Sequence, residues 1–321
     1  MKGLFFSFLI VSMAFSIARA EKPKSRLVDF YYETEVKDIP PGSSELKVWI
    51  PRAPATPYQD IEFLTVYPNG AALINSDKTY HNKIIYFSFK SPKEPIKIIV
   101  HYKIRRYEYS NTRNTTVIKP AKIPSLRKYL VSNRLMVVSP EIKEMADGLV
   151  KNRITAIEKA RAIYDFVFDN MAYDKNAPGW GMGDTKRACF VKAGNCTDFH
   201  SLFVSLARAS GVPSKFVIGV YIPQEKDGVI EGYHCWAEFY DDSFGWVPVD
   251  VSEASKHRLM KEYYFGSINE NRIELSEGRD IVLEPLPRGE ALNYFVYPYA
   301  ELDGKQFKNI TVSFKYKDIA Y

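Results

Sequence analysis

Cysteine is scarce in this chain, which carries three thiols, Cys189, Cys196 and Cys235, in 321 residues. An odd and sparse count argues against a disulfide framework and leaves at least one thiol to be explained by chemistry other than cross-linking. Long apolar runs are scarcer still. The one such run, Leu4 to Ile17, is short of a full membrane span, follows Lys2 and is succeeded by the small-x-small site Ala18, Arg19, Ala20. That is the pattern of a secretory signal peptide cleaved after Ala20, so the expectation is a secreted or periplasmic protein with no transmembrane anchor once residues 1–20 are removed. Dense charge is missing as well. The formal net charge of +6 falls to +4 when Lys2 and Arg19 leave with the leader, and it is spread without a basic block, so no nucleic-acid partner is expected. Paired CxxC or HxxxH spacing is absent too, and neither a metal nor another cofactor is expected.

What is present is material for a sizeable core, since 46% of the residues are hydrophobic, and the pattern changes along the chain suggest more than one domain. Residues 21–125 alternate in the manner of strands: ELKVWI, IEFLTVY, KIIYFSF and IKIIVHYKI are separated by PPGS, PNG and SPKEP. This spacing predicts an antiparallel β-sandwich domain. A connector rich in Pro and Lys around 119–128 marks the boundary, and helical signals follow. Ser139 ahead of Pro140 reads as a helix cap, with Ile142, Met145 and Leu149 as the apolar stripe. Thr155 and Glu158 form a capping box before a second helix whose buried face includes Ala160, Tyr164 and Val167. The last segment, 271–321, is expected to be a β-rich extension that returns to pack on the core. Its Tyr294, Phe295, Tyr297 and Tyr299 suit either a groove wall or an aromatic core.

The chemistry concentrates in residues 194–220. Asn195 is a helix N-cap candidate, Asp198 a first-turn acid, and Phe199, Leu202, Phe203, Leu206 and Ala209 recur at helical spacing until Gly211 and Pro213. Cys196 thereby takes the first helical position, where unpaired N–H groups and the helix dipole favour thiolate. The glycine-rich stretch before it, 178–195, is expected to be irregular, with Trp180 either a plug beneath the loop or a wall of a groove. Cys189 in that stretch reads as a small buried residue. Downstream, GYHCWAEFY and WVPVD read as a hairpin joined by DDSFG. A turn centred near Asp242 sets Asp250 opposite His234, and a shift of one residue makes them diagonal neighbours; either register keeps them within reach. By the same alternation Cys235 points to the other face and away from the histidine. A thiol, an imidazole and a carboxylate are the parts of a Cys-His-Asp triad, in which the backbone N–H of Cys196 and either Trp180 or Asn195 would bind the oxyanion.

The stretch GNCTDFHSLFVSLARASGVPSKFVIG, followed by GYHCWAEFYDDSFGWVPVD, resembles the transglutaminase-like superfamily, with its GxCxDxxxLFxxLxRxxGIP, HxWxE and WxxxD types of motif in order. The resemblance spans 139–250 and implies an α+β, papain-like core over residues 126–270, with Cys196, His234 and Asp250 as the triad. The preceding β-domain is similar to those of secreted bacterial members. His200 departs from the small residue usual at its position and lies one helical turn beyond Cys196, within reach of the thiolate or its surroundings. The function this implies is an exported cysteine enzyme acting on amide bonds of peptide or protein substrates through a thioester, by hydrolysis or by transfer to an amine. The alternative weighed against it is a non-enzymatic transglutaminase-like binding or assembly module.

Overall fold

The computed structural model describes residues 23–69, 72–93, 95–110 and 126–319; the leader expected at 1–20 and most of the connector lie outside them. The N-terminal strands are β1 (Ser25–Val36), β2 (Glu45–Arg52), β3 (Gln59–Tyr67), β4 (Ala72–Ser76), β5 (Lys83–Lys90), β6 (Ile96–Tyr107) and the two-residue β7 (Tyr109–Ser110). Their alternation sets the burial: Val28, Phe30, Tyr32 and Val36 of β1, and Ile98, Val100, Tyr102 and Ile104 of β6, point inward. Then come α1 (Pro140–Leu149), α2 (Ala156–Asn170), β8 (Ala172–Tyr173), α3 (Thr185–Val191), β9 (Ala193–Gly194) and α4 (Cys196–Ala209). The chain continues through β10 (Ser214–Tyr221), β11 (Asp227–Ile230), β12 (His234–Asp241), β13 (Gly245–Val249), α5 (Val251–Lys256) and β14 (Ser267–Ile268). It ends with β15 (Arg272–Glu277), β16 (Tyr299–Leu302), β17 (Lys305–Gln306) and β18 (Ile310–Asp318).

Two antiparallel five-stranded sheets, ordered β11-β18-β1-β6-β3 and β17-β16-β2-β5-β4, form the sandwich. A four-stranded antiparallel sheet, β13-β12-β10-β15, carries the helices and completes the α+β core. The segment expected as a C-terminal extension serves all three sheets: β15 is an edge of the four-stranded sheet, β16 and β17 extend the sheet of β2, and β18 lies beside β1. Helix caps fall where the sequence places them, at Ser139 for α1 and at Thr155 with Glu158 for α2. The stretch 178–195 differs from the irregular loop expected of it, because Asp184 accepts from the N–H groups of Lys186 and Arg187 and so starts the seven-residue α3. A helix this short leaves little periodicity to read.

Candidate active site

Helix α4 is buried along its whole length, and its N-terminus is the fixed point of the site. Asn195 caps it, its Oδ1 accepting from the Thr197 N–H at 2.9 Å. Asp198 does more than neutralise the helix start. Its carboxylate accepts from the N–H groups of Asn195 at 3.0 Å, Gly181 at 2.7 Å and Gly183 at 3.1 Å, and lies 3.5 Å from Arg187. The glycine-rich loop is thereby tied to the turn that carries the thiol. Burial pushes the Asp198 carboxyl above its ordinary value, against the pull of these donors. Two glycines make the contact possible: a Cβ on Gly194 would sit 2.2 Å from an Asp198 oxygen, and Gly183, at φ +62°, would place one 2.4 Å from Ser201 Oγ.

Cys196, at 2% exposure, opens this helix, and its N–H belongs to the first turn, which has no intrahelical acceptor. His234 opens β12 and its Nε2 lies 2.7 Å from Asp250 Oδ2. Asp250 caps α5 immediately after β13. The pairing of Tyr240 with Trp246 and Asp241 with Gly245 centres the hairpin on Ser243, so the diagonal register holds and Asp250 comes to His234 from the position across from Trp236. Asp250 is fully buried and each of its oxygens is held twice. Oδ2 accepts from His234 and from Arg272 Nη2 at 2.9 Å; Oδ1 accepts from Ser252 Oγ at 3.0 Å and the Glu253 N–H at 2.9 Å.

These contacts set the charges. Burial alone would lower the His234 pKa, but the Asp250 carboxylate beside it prevails and lifts it to about 9. Burial alone would raise the Cys196 thiol; the neighbouring Cys235 and the positive charge of His234 instead hold it well below the ordinary thiol value. Asp250, whose burial pushes the other way, is held far below the carboxylate range by His234 and Arg272. The arrangement favours a thiolate and imidazolium pair seated on a permanent carboxylate.

The remaining expectations are redistributed. His200 is fully buried on α4 and reaches not the solvent side of the thiol but the layer beneath it. Its Nε2 accepts from the Val251 N–H at 3.1 Å, which assigns the proton to Nδ1, 3.6 Å from Cys235 Sγ. Cys235 does turn to the strand face opposite Trp236 and Glu238, but that face packs on α4, so its thiol lies against Cys196 and Thr197 rather than apart from the site. Cys235 is thus a core residue on the face opposite His234, as expected, and that face is the one α4 covers. Trp180 is 41% exposed on the loop held by Asp198, so it is not a plug. The Asn195 amide nitrogen donates to Tyr233 Oη at 3.0 Å, which commits one of its two hydrogens. Tyr233 in turn packs against Tyr294 and Tyr297, with ring centroids 5.4 and 5.9 Å away, while Phe295 and Tyr299 belong to a separate apolar cluster. Cys189 is half-buried within α3, and burial raises its thiol pKa. Arg272 is not recognisable from the sequence, because a single arginine opening a strand has no signature.

Residues 143–251 match the family model described as the transglutaminase-like superfamily core. An uncharacterized protein of Haemophilus influenzae is 28% identical over 326 residues, covering 86% of this chain and 88% of the relative. A crystal structure from Cytophaga hutchinsonii, named provisionally as a cysteine protease, superposes with a TM-score of 0.62 at 14% identity, covering 94% of this chain and 93% of that one, and so shares the fold across both β-rich and helical parts. The matched segment contains all three residues that the structure gathers around the start of α4, and residues 143–251 of this chain are a match to the transglutaminase-like superfamily core.

Proposed function

We propose that this chain is an exported cysteine enzyme that acts on amide bonds of peptides or proteins through a thioester at Cys196. The observation that carries the reading is the His234–Asp250 hydrogen bond, with Arg272 on the same carboxylate, next to a Cys196 thiol that His234 helps hold below its ordinary value. Cys196 thiolate attacks the amide carbonyl carbon, and the electron pair moves to the oxygen, which the Cys196 N–H at the helix start is placed to receive. His234 then gives its proton to the departing amine as the C–N bond breaks, leaving a thioester and a neutral imidazole. That imidazole takes a proton from water or from an amine, which attacks the thioester carbon and releases Cys196. Asp250 holds the histidine in one orientation and stabilises its charged form throughout.

Hydrolysis and transfer share the first half and differ only in what enters second. Export rests on the leader pattern at 1–20, and a secreted or periplasmic location follows from it. Mass spectrometry of the intact protein with peptide libraries, with and without a primary amine, provides the test. A mass increase on Cys196 that converts to hydrolysed or amine-linked product, and that vanishes in Cys196→Ala, is expected. An absence of any acyl adduct or product in wild type, together with a thiol that resists iodoacetamide near neutral pH, would sink the proposal.

A further inference from the structure

On the sheet face turned away from α4, β12 presents Glu238, β10 Lys215, and β15 Glu274 and Glu277, opposite Arg106 of the sandwich. Together they line a cavity of about 310 Å³, at the lower end of the range of small-molecule sites, about 300–1,000 Å³. Most of this charge is spoken for. Lys215 Nζ lies 3.2 Å from Glu238 and 2.9 Å from Glu277, and Tyr129 donates to Glu277 at 2.6 Å.

Two groups are left over, and they have opposite sign. Arg106 takes the inward position that Ile98, Val100, Tyr102 and Ile104 occupy earlier in β6, is 1% exposed, and has no partner for its Nε among the described residues. Its guanidinium lies over the Trp236 ring at 6.0 Å. Glu274 is 8% exposed, and its backbone N–H and C=O are both bound by the Gln59 side chain, at 2.9 and 3.1 Å, which anchors the strand. Among the described residues no hydrogen bond or ion pair reaches its carboxylate. A buried guanidinium and a buried carboxylate would ordinarily close on one another; here they face one cavity and remain separate.

We propose that this cavity binds a small zwitterion, an α-amino acid with free ammonium and carboxylate groups, whose carboxylate pairs with Arg106 and whose ammonium pairs with Glu274. A planar guanidinium suits a carboxylate through two parallel N–H donors. A simple anion would meet three carboxylates, and a simple cation would meet Arg106 and Lys215; a zwitterion satisfies both sides. The stacked rings of Tyr58 and Tyr109, with centroids 3.6 Å apart, and Trp246 give the side chain an apolar wall. Burial and the neighbouring Glu238 raise Glu274 to about 7, so an ammonium beside it would hold it ionised. The inference does not rest on the thiol reading, since Cys196, His234 and Asp250 are not among the residues that line this cavity.

Calorimetry on the intact protein tests it, using glycine, L-alanine, L-leucine and L-phenylalanine singly. At least one should bind once per chain to wild type and equally to Cys196→Ala. The N-acetyl and amide derivatives of that amino acid, and the Glu274→Gln variant with the free amino acid, should each show affinity weaker by about ten-fold or more. Arg106→Met should behave like Glu274→Gln; where it does not fold, the isosteric Glu274→Gln carries the test, with circular dichroism as its folding control. No binding of any of the four, equal binding of the derivatives, undiminished binding to Glu274→Gln, or loss of binding in Cys196→Ala would overturn the proposal.

Discussion

Arg272 and His234 share one oxygen of Asp250: the guanidinium approaches Oδ2 to 2.9 Å and the imidazole to 2.7 Å. Arg272 is fully buried on β15 and lies over the Tyr221 ring at 4.3 Å, so its position is fixed by packing as well as by charge. Asp250 can therefore stay ionised without solvent, which is the condition for supporting an imidazolium. Arg272→Met removes one partner of a buried pair and should cost about 3–5 kcal/mol of stability. Urea unfolding measures it, and a loss below about 1 kcal/mol, within the range of ordinary surface pairs, would show that Asp250 needs no second cation.

The charges of the site fix a pH window. With Cys196 held well below the ordinary thiol value and His234 raised to about 9, the thiolate and imidazolium coexist from the depressed thiol value up to about 9. Turnover should therefore fall on the alkaline side near 9, as the proton needed by the leaving amine is lost. The same group contributes stability that is fully present below the unfolded histidine value of about 6.5 and is lost as pH rises through about 9. Asp250 contributes with the opposite sense, present above the unfolded value of about 3.9 and lost as pH falls through its depressed folded value. A profile of kcat/KM that climbs past pH 9 without turning would contradict the assignment.

Much of the site can be read in the sequence because its parts are local. The cap at Asn195, the thiol at the first helical position and the hairpin that brings Asp250 to His234 all lie within short windows whose periodicity is strong. What could not be read is long-range. Nothing in the tail says that β18 lies beside β1 or that β15 closes the four-stranded sheet, so the sequence alone presents Arg272 as part of an appended segment rather than as a neighbour of Asp250. The face of Cys235 is legible but its neighbours are not: alternation gives the face of a strand and not what packs on it, and α4 packs on the face that Cys235 occupies.

His200 should be neutral, with its proton on Nδ1. Burial lowers its pKa even though Asp250 and Cys196 favour the charged form, and the Val251 N–H occupies Nε2. A depressed histidine takes its proton more readily in the unfolded chain, so this contribution to stability is present above about 6.5 and declines below it. Long-range nitrogen and proton correlation spectra at pH 7 should show one Nδ1–H tautomer, with its titration displaced to the acid side of an ordinary histidine. A resonance pair typical of imidazolium at pH 7 would be inconsistent with the Val251 contact.

Asp198 ties the thiol to the loop bearing Trp180, and removing it should separate chemistry from substrate positioning. Asp198→Ala strips a charged acceptor from the N–H groups of Gly181, Gly183 and Asn195. Bonds to charged groups are worth about 1.5–3 kcal/mol each, but the freed loop can turn its donors to water, so a total near 3 kcal/mol is expected. His234 and Asp250 remain, so iodoacetamide should still modify Cys196. Peptide turnover should fall by about 100-fold, since a displaced loop misplaces the carbonyl by an ångström or more. Limited proteolysis should cut within 178–184 in the variant before it cuts there in wild type. Unchanged turnover with an equally resistant loop would mean that the Asp198 contacts are incidental to how the site is held.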